Sequence, residues 1–312
     1  MKHFTLALFV ALSVHLHAQD TTLAKNPGDT SLRTPVDTVV ATSPVTPNDS
    51  ARTAASNPVK IPADNFSRTP YKTTWLGDGL VIAGAVGATI AGYELIKNKS
   101  DLTMAELATK TKDKLPFFDR GNAGYYSVQA NKDSYILFDA DYALPALFAL
   151  IDKKERLKFG QLMAMYIETI GITGAMYTMS AGLVYRSRPF VYGDKAPLDK
   201  RLDKGAQRSF YGGHVAATAA STFFIAKVFH DFHPGSKLTP YLYTSASALS
   251  ALMGYMRYKA GYHFLSDCTL SFILGAATGI LIPQWHKTKL ARHIALTPSI
   301  DGRGLDLVYH FR

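Results

Sequence analysis

Long apolar stretches of helical length recur along the chain from residue 79 onward. They cover residues 79–96, 135–151, 159–185, 214–229, 238–258 and 264–283. All are longer than a typical strand, and many are dense in Gly, Ala, Ser and Thr, which allows helices to approach closely. Their length fits both the buried helices of a soluble bundle and membrane spans. The pattern therefore predicts an all-α protein built on six helices, and leaves membrane embedding open.

The pattern changes near the C-terminus, where two short apolar runs replace the long ones. Residues 294–296 and 305–309 flank the sequence Asp301-Gly302-Arg303-Gly304. Short apolar runs separated by Asp and Gly residues are typical of a β-hairpin. Residues 293–312 are therefore predicted to form a β-like tail with a short hairpin.

The N-terminal part lacks long apolar stretches after its first residues. Residues 1–18 combine a basic start at Lys2, an apolar core and Ala18 as a small residue before cleavage, which predicts a secretory signal peptide. Residues 19–72 are rich in Pro, Ser and Thr and poor in aromatic residues, so we expect a disordered spacer. The helical domain is then expected to span residues 73–292. The signal predicts export to the bacterial cell envelope.

The formal net charge is +10, and part of it is concentrated between the third and fourth apolar stretches. The basic residues there are Arg186, Arg188, Lys195, Lys200, Arg201, Lys204 and Arg208. Such a loop suits an anionic substrate or anionic lipid headgroups, and a simple solvated loop is the alternative. No nucleic-acid motif accompanies it, so a nucleic-acid partner is not expected.

Candidate chemistry appears first in residues 254–267, which contain Arg257, His263 and Asp267. On a helix, the last two would share one face, and Asp267 would accept the Nδ1 proton of His263. That bond would direct Nε2 outward as a nucleophile or base. Arg257 offers a planar fork to an anion. An ordinary salt-bridged helix corner would show the same residues.

Two further stretches strengthen the case for a site. Arg188 precedes Pro189, which ends the third helix, and Gly212-Gly213-His214 opens the fourth. In an antiparallel bundle, the ends of helices three and five and the starts of helices four and six lie together. Two arginines, two histidines, a glycine pair and an aspartate are therefore predicted to converge.

The order Arg-Pro, then Gly-His, then Arg-x5-His-x3-Asp resembles the type 2 phosphatidic acid phosphatase (PAP2) superfamily, across roughly residues 135–285. This group includes lipid phosphatases, bacterial acid phosphatases and vanadium haloperoxidases. The resemblance implies a six-helix bundle of the acid phosphatase–haloperoxidase type. It also implies a metal-independent phosphoric monoester hydrolase without cofactor, in which arginines supply the positive charge.

The resemblance assigns a role to each matching residue. His263 would be the nucleophile that forms a phospho-histidine, Asp267 would orient it, and His214 would protonate the leaving oxygen. The groups that bind the phosphoryl oxygens would be Arg188, Arg257 and the Gly213 N–H.

The sequence also departs from the family pattern. Ala181 stands where the first motif has a lysine, Gly212 where the second has a serine, and Met256 replaces a serine before Arg257. Arg186 or Lys259 could substitute for the missing cation. If nothing does, a lysine at position 181 is expected to raise the rate.

We therefore expect an exported phosphatase, active or weakened, with its site on the periplasmic side. Its substrate would be a phosphorylated small molecule or a lipid, and a membrane surface is a further candidate partner. The sequence specifies neither the ester nor the oligomeric state. The alternatives are a catalytically silent relative that binds phosphorylated ligands, a vanadium haloperoxidase and a purely structural envelope protein.

Overall fold

The structure, a computed structural model, describes residues 69–287 and two strands near the C-terminus. Six long helices account for most of it: α1 Trp75–Lys97, α2 Val128–Ile151, α3 Phe159–Leu183, α4 Gly213–Phe232, α5 Thr239–Lys259 and α6 Leu265–Lys287. The predicted all-α fold with six helices is confirmed. The predicted signal peptide and residues 19–68 of the predicted spacer lie outside the described residues.

Helix α2 begins two turns before its apolar stretch does. Ser127 is the N-cap, and its Oγ accepts a hydrogen bond from the Ala130 N–H at 3.2 Å. This bond satisfies one of the N–H groups that the first turn of a helix leaves unpaired. The first turns carry polar residues, among them Asn131 and Ser134, which are buried. Hydrophobicity alone could not reveal them as helical.

Helix α4 lies at the centre of the bundle. It packs against α2, α3, α5 and α6, and nearly all of its residues are buried. A helix surrounded in this way is apolar on every side. Helix α1 lies outside this group and packs mainly on α3. Because His214 lies in the first turn of α4, the central helix carries a candidate site residue into the middle of one end of the bundle.

Small residues bring the central helices close together. A Cβ atom on Gly279 of α6 would lie 2.5 Å from the Ala220 carbonyl oxygen of α4. A Cβ atom on Gly275 would meet the Ala216 carbonyl oxygen at an even shorter distance. Only glycine permits backbones to approach this closely. The middle of α6 is thereby held against the first half of α4.

The segment before α1 is packed, which corrects the predicted boundary at residue 73. The Tyr71 side chain is buried, and its hydroxyl donates to Asp231 Oδ2 at 2.8 Å. Thr69 donates to Gln161 of α3 at 2.7 Å. Residues 69–72 were assigned to the disordered spacer because their composition is polar. The hydrogen bonds of Tyr71 and Thr69 hold these residues against the bundle.

Short elements cover the end of the bundle where α4 and α6 begin. One-turn helices occupy residues 104–108, 112–114, 117–122, 189–192, 198–202 and 204–207. The loop after α3 folds back on itself: the Arg188 N–H donates to the Ala206 carbonyl at 2.7 Å, and the Ser209 N–H to the Arg186 carbonyl at 2.9 Å. Most of the basic residues noted in the sequence lie in this loop.

Strands β1 (Ile294–Pro298) and β2 (Leu305–Tyr309) pair antiparallel, with Ile294 opposite Tyr309. The connecting residues lie outside the described part of the chain. Helices α1, α2 and α6 are each long and apolar enough to cross a membrane. This property is compatible with a location in the cell envelope.

Candidate active site

His263 lies in the short loop between α5 and α6, not on a helix. Gly261 turns this loop with φ +77°, a conformation that favours glycine, and a Cβ there would collide with the Tyr125 carbonyl. The Asn122 side chain donates to the carbonyl oxygens of Tyr258 at 3.1 Å and His263 at 2.8 Å. The loop is therefore held by Asn122 and by its close contact with Tyr125. The imidazole is buried.

The hydrogen bond of His263 determines its tautomer. Nδ1 lies 2.7 Å from the Ser209 carbonyl oxygen, and a carbonyl can only accept, so Nδ1 carries the proton. Burial lowers the pKa of His263 well below its usual 6.5, and the charges of Arg257 and Arg188 lower it further. A neutral ring protonated on Nδ1 has its lone pair on Nε2. This is the state that a nucleophile requires.

Asp267 does not bond to His263, which corrects the predicted pair. Its Oδ2 accepts from the Ser209 hydroxyl at 2.6 Å and from the Phe264 N–H at 3.0 Å. The prediction assumed that both residues lie on one helical turn, but α6 begins only at Leu265. Asp267 therefore acts at the helix start and holds Ser209, whose carbonyl holds the imidazole. Its influence on His263 is indirect.

Arg186 is engaged by carboxylates and does not replace the missing cation of the first motif. Its guanidinium forms ion pairs with Asp267 Oδ1 and with Asp119 Oδ2, the latter at 2.6 Å. Asp119 also accepts from the Ser266 N–H at 3.0 Å. Both carboxylates are fully buried. Two buried acids and one arginine thus form a structural network behind the histidine loop.

Arg188 and Arg257 converge on one aromatic ring. Their guanidinium carbons lie 4.5 and 4.4 Å from the centroid of Tyr262, so the two groups are within about 9 Å of each other. Both side chains are buried. Arg257 Nη1 donates to Asn131 Oδ1 at 2.7 Å and to Ser134 Oγ at 3.0 Å. Arg188 lies five residues beyond the end of α3, so the loop, not the helix, positions it.

His214 and the glycine pair complete this end of the bundle. The His214 ring lies between Tyr135, at 4.9 Å, and Phe138, at 4.6 Å, both on α2. A Cβ on Gly212 would lie 3.4 Å from the His263 ring, so the start of α4 touches the imidazole. Gly213 is the first residue of α4, and its N–H has no partner within the helix. His214 is also close enough to lower the pKa of His263.

The surroundings of Ala181 disfavour a lysine at this position. Its side chain is fully buried in an apolar cluster with Ile96, Tyr177 and Tyr211. An ammonium placed there would lose its hydration without gaining a partner, which weighs against the expected gain in rate; that gain stays a prediction. Lys259, the other suggested substitute, is exposed, with Nζ 6.0 Å from the Tyr125 ring centroid.

A different lysine lies near the arginines. Lys99 follows α1 and is buried, and its Nζ donates to the carbonyl oxygens of Val184 at 2.7 Å and Gln207 at 3.2 Å. Burial lowers the pKa of Lys99 to about 8, and the neighbouring Arg208 and Arg188 contribute. It adds positive charge behind Arg188. The family motif could not reveal it, because Lys99 lies in the segment after α1, far from the motifs in sequence.

Several supporting residues escaped the sequence analysis. They are Lys99, Asp119, Asn122, Asn131, Ser134, Arg208 and Ser209. Most of them are distant in sequence from the groups they hold, so no spacing connects them. Asn131 and Ser134 left a faint signal as a polar i, i+3 pair beside an apolar stretch. The sequence analysis names Arg208 only as part of a basic loop, and no motif points to Ser209.

The site as a whole combines a neutral imidazole, a second histidine in the first turn of α4 and two buried arginines, Arg188 in the loop after α3 and Arg257 in the last turn of α5. Such a set defines a centre for anionic, phosphate-like groups. Comparison with known proteins agrees: the family model of the PAP2 superfamily matches residues 162–291. The resemblance seen in the motifs is thereby confirmed, and it supports a phosphatase-type function in broad terms.

One solved structure is similar to the chain. It is the crystal structure of LpxE from Aquifex aeolicus, with 19% sequence identity and a TM-score of 0.38. The similarity covers 56% of this chain and 99% of LpxE. No curated protein sequence matches the chain.

Proposed function

We propose that the protein is a phosphatase that hydrolyses a phosphate monoester through a phospho-histidine on His263. The observation that carries the proposal is the hydrogen bond from His263 Nδ1 to the Ser209 carbonyl. Together with the lowered pKa, this bond keeps Nε2 unprotonated and available at neutral pH. A purely structural histidine would not need two buried arginines close to its ring, whereas a phosphoryl group bound there would.

In the first step, Nε2 of His263 attacks phosphorus, and the ester P–O bond breaks as the N–P bond forms. His214 gives its proton to the leaving oxygen, which departs as an alcohol. Arg188, Arg257 and the Gly213 N–H hold the three remaining phosphoryl oxygens, where negative charge spreads in the transition state. The arginines supply the charge stabilisation, so the proposal requires no metal ion or cofactor.

In the second step, water attacks phosphorus and the N–P bond breaks. His214, now neutral, takes a proton from that water, and inorganic phosphate leaves. His263 returns to its starting state because the proton stays on Nδ1, hydrogen-bonded to the Ser209 carbonyl, throughout. One histidine therefore serves as nucleophile and the other as acid and then as base.

Asp267 is a positioning residue in this scheme. Its carboxylate fixes the Ser209 hydroxyl at 2.6 Å and the Phe264 N–H at 3.0 Å, on either side of the imidazole. Arg186 balances its charge, and Asp119 anchors Arg186 in turn. The network holds the histidine loop in one conformation, which is the condition for a nucleophile aligned with the P–O bond.

The experiment that tests the function is phosphate release from a panel of lipid, prenyl, sugar and nucleotide monoesters. We expect His263→Ala to reduce turnover to background and His214→Ala to reduce it by about 10²–10⁴-fold. His230→Ala is the matched control, because His230 lies on the same helix as His214 but near its other end. Equal turnover in His263→Ala and the parent would overturn the proposal.

A silent phosphate-binding relative is the second candidate, and one observation favours it. Position 181, which carries a lysine in the family motif, is occupied here by a fully buried alanine. Such a protein would bind vanadate or phosphate through Arg188 and Arg257 but would release no phosphate from any ester. The same panel, combined with a vanadate-binding titration, separates the two functions.

We further propose that the protein acts in the cell envelope, with its site outside the cytoplasm. The N-terminal signal pattern and the three apolar helices support this location. Exposed apolar side chains on these helices, among them Trp75, Ile136 and Leu281, suit contact with lipid. Fractionation with and without detergent tests the proposal. Recovery of the mature protein from the cytoplasmic fraction would contradict it.

A further inference from the structure

A second cluster of metal-ligating side chains lies far from the candidate active site. Asp152 and Glu155 belong to the connection between α2 and α3, and His233 follows the last residue of α4. One ligand atom from each lies within 4.8 Å of the other two. Helix α4 separates His233 from His214 by 19 residues, or about 30 Å at 1.5 Å per residue. The cluster is therefore independent of the phosphate chemistry.

Glu155 is the unusual member of this cluster. Its side chain is 1% exposed, and Oε1 has no hydrogen-bond partner among the residues that the structure describes. The nearby ammonium of Lys154 donates instead to the Phe232 carbonyl, at 3.5 Å. A buried carboxylate oxygen without a partner is costly, and such oxygens are normally paired or bound to a metal. Burial and the charge of Asp152 raise the pKa of Glu155 to about 8.

His233 faces the same place through Nε2, which lies 3.3 Å from Asp152 Oδ2. The lone pairs of the two ring nitrogens point in different directions, so an ion shared with Asp152 would bind Nε2, and Nδ1 would carry the proton. The ring stacks on Phe229 with centroids 4.5 Å apart, which fixes its plane. The Nε2 lone pair and the unpaired Glu155 oxygen are therefore the two groups that a cation would satisfy.

Asp152 is held in place by the backbone. Asp152 is the N-cap of a one-turn helix, Lys153–Arg156. Its Oδ1 accepts hydrogen bonds from the N–H groups of Lys154 at 2.9 Å and Glu155 at 3.0 Å. The carboxylate is thereby preorganised, and the second oxygen stays directed at the cluster. Ligand carboxylates that are held by further hydrogen bonds in this way are typical of metal sites.

We infer that Asp152, Glu155 and His233 bind a divalent transition-metal ion, with Zn²⁺ as the best fit. Zn²⁺ takes imidazole nitrogen and carboxylate oxygen together, whereas Mg²⁺ and Ca²⁺ prefer oxygen ligands alone. The ion would bind the Asp152 carboxylate and satisfy the unpaired Glu155 oxygen. It would also tie the α2–α3 connection to the end of the central helix.

A similar cluster at Asp78, Glu168 and His286 provides a matched control. There, His286 Nε2 lies 2.7 Å from Glu168 Oε2, and Nδ1 donates to the Lys72 carbonyl at 2.9 Å. Both ring nitrogens are already satisfied within the chain. Among the described residues, this cluster contains no buried side-chain oxygen without a partner, in contrast to Glu155, so we expect no metal there.

The test is a calorimetric titration of ZnCl₂ into the full chain after treatment with a chelator, with MgCl₂ as the comparison ion. We expect Zn²⁺ to bind one site, and Glu155→Gln and His233→Gln each to weaken it by about tenfold or more. His286→Gln should leave the affinity unchanged. Zn²⁺ should also raise the Tm of the parent but not that of Glu155→Gln.

Three outcomes would overturn the inference. They are no Zn²⁺ binding by the parent, loss of binding in His286→Gln with retention in Glu155→Gln, and equal affinity for Mg²⁺. His233 is only partly buried, so His233→Gln remains informative if Glu155→Gln does not fold. Unchanged Zn²⁺ affinity in a folded His233→Gln protein would by itself exclude the site.

Discussion

The Ser209 carbonyl fixes the tautomer of His263. It accepts a hydrogen bond from Nδ1–H, so the lone pair lies on Nε2, and burial and the surrounding arginines keep the ring neutral. The motif spacing located the histidine but assigned its orientation to Asp267. The spacing could not show that α6 begins between these residues, at Leu265, or that the partner of Nδ1 is Ser209, which lies three residues before the glycine pair.

The link from Asp267 to His263 through Ser209 can be measured with a double-mutant cycle. Ser209→Ala removes one hydrogen bond to a carboxylate, worth roughly 1.5 kcal/mol, and should lower kcat about tenfold. Asp267→Asn should cost more, because it also disturbs Arg186. The double variant should lose little beyond Asp267→Asn, since both changes break one connection. Additive effects would contradict the link, and Asp133→Asn, at a partly exposed position, serves as control.

The two buried arginines make a prediction about affinity. Arg188→Lys and Arg257→Lys keep the charge but lose the planar, two-pronged hydrogen bonding. We expect the inhibition constant of vanadate to rise about tenfold in each, since a charge-assisted bond contributes roughly 1.5 kcal/mol. Arg156→Lys, at an exposed position, should leave it unchanged. Unaltered inhibition in both buried variants would place the anion elsewhere.

The lowered pKa of His263 predicts the pH profile. The imidazole must be neutral to attack, so kcat/KM should fall only as the pH drops through this lowered pKa, below 6.5. Arg257→Gln removes one of the charges that lower it, and should move the acid limb upward. Titration of the substrate is common to both proteins, so the difference between them is the readout. An acid limb that does not move in Arg257→Gln would contradict the assignment.

At the scale of elements, the length and hydrophobicity of the six stretches predicted the helices well. The ends were less accurate: α2 begins at Val128 because Ser127 caps it, and α3 ends at Leu183 before the predicted Tyr185. The prediction placed Arg188 at the end of a helix. Instead, Arg188 lies in a folded loop. Backbone hydrogen bonds to residues 206–209 hold this loop, and hydrophobic periodicity cannot predict such bonds.

The contact between α4 and α6 sets the geometry of the site and is testable. Gly275→Ala places a methyl group against the Ala216 carbonyl and should destabilise the fold by about 1–3 kcal/mol. Gly87→Ala in α1, where a Cβ would meet nothing within 4 Å, should be neutral or stabilising by up to about 1 kcal/mol. Denaturant unfolding measures both. Equal stability of the two variants would show that α6 does not need this close approach.

At the scale of the whole molecule, the two ends of the bundle differ in the charged residues that surround their histidines. One end gathers arginines around two histidines, and the other gathers carboxylates around His233 and His286. The first end was predictable because its residues are near one another in three short motifs. The second was not, because Asp152, Glu155 and His233 belong to unrelated stretches that only the folded chain brings together.

The central claim is that the phosphoryl group passes through His263, and trapping that intermediate tests it most directly. In His214→Ala, a p-nitrophenyl ester should still phosphorylate the enzyme, because this leaving group needs no proton. Breakdown should be slow without the base, so the phospho-enzyme accumulates. After an alkaline quench, mass spectrometry should find phosphate on the peptide that contains His263, and none in the His263→Ala/His214→Ala double variant. Phosphate on another residue, or release of p-nitrophenol without any phospho-enzyme, would contradict the account.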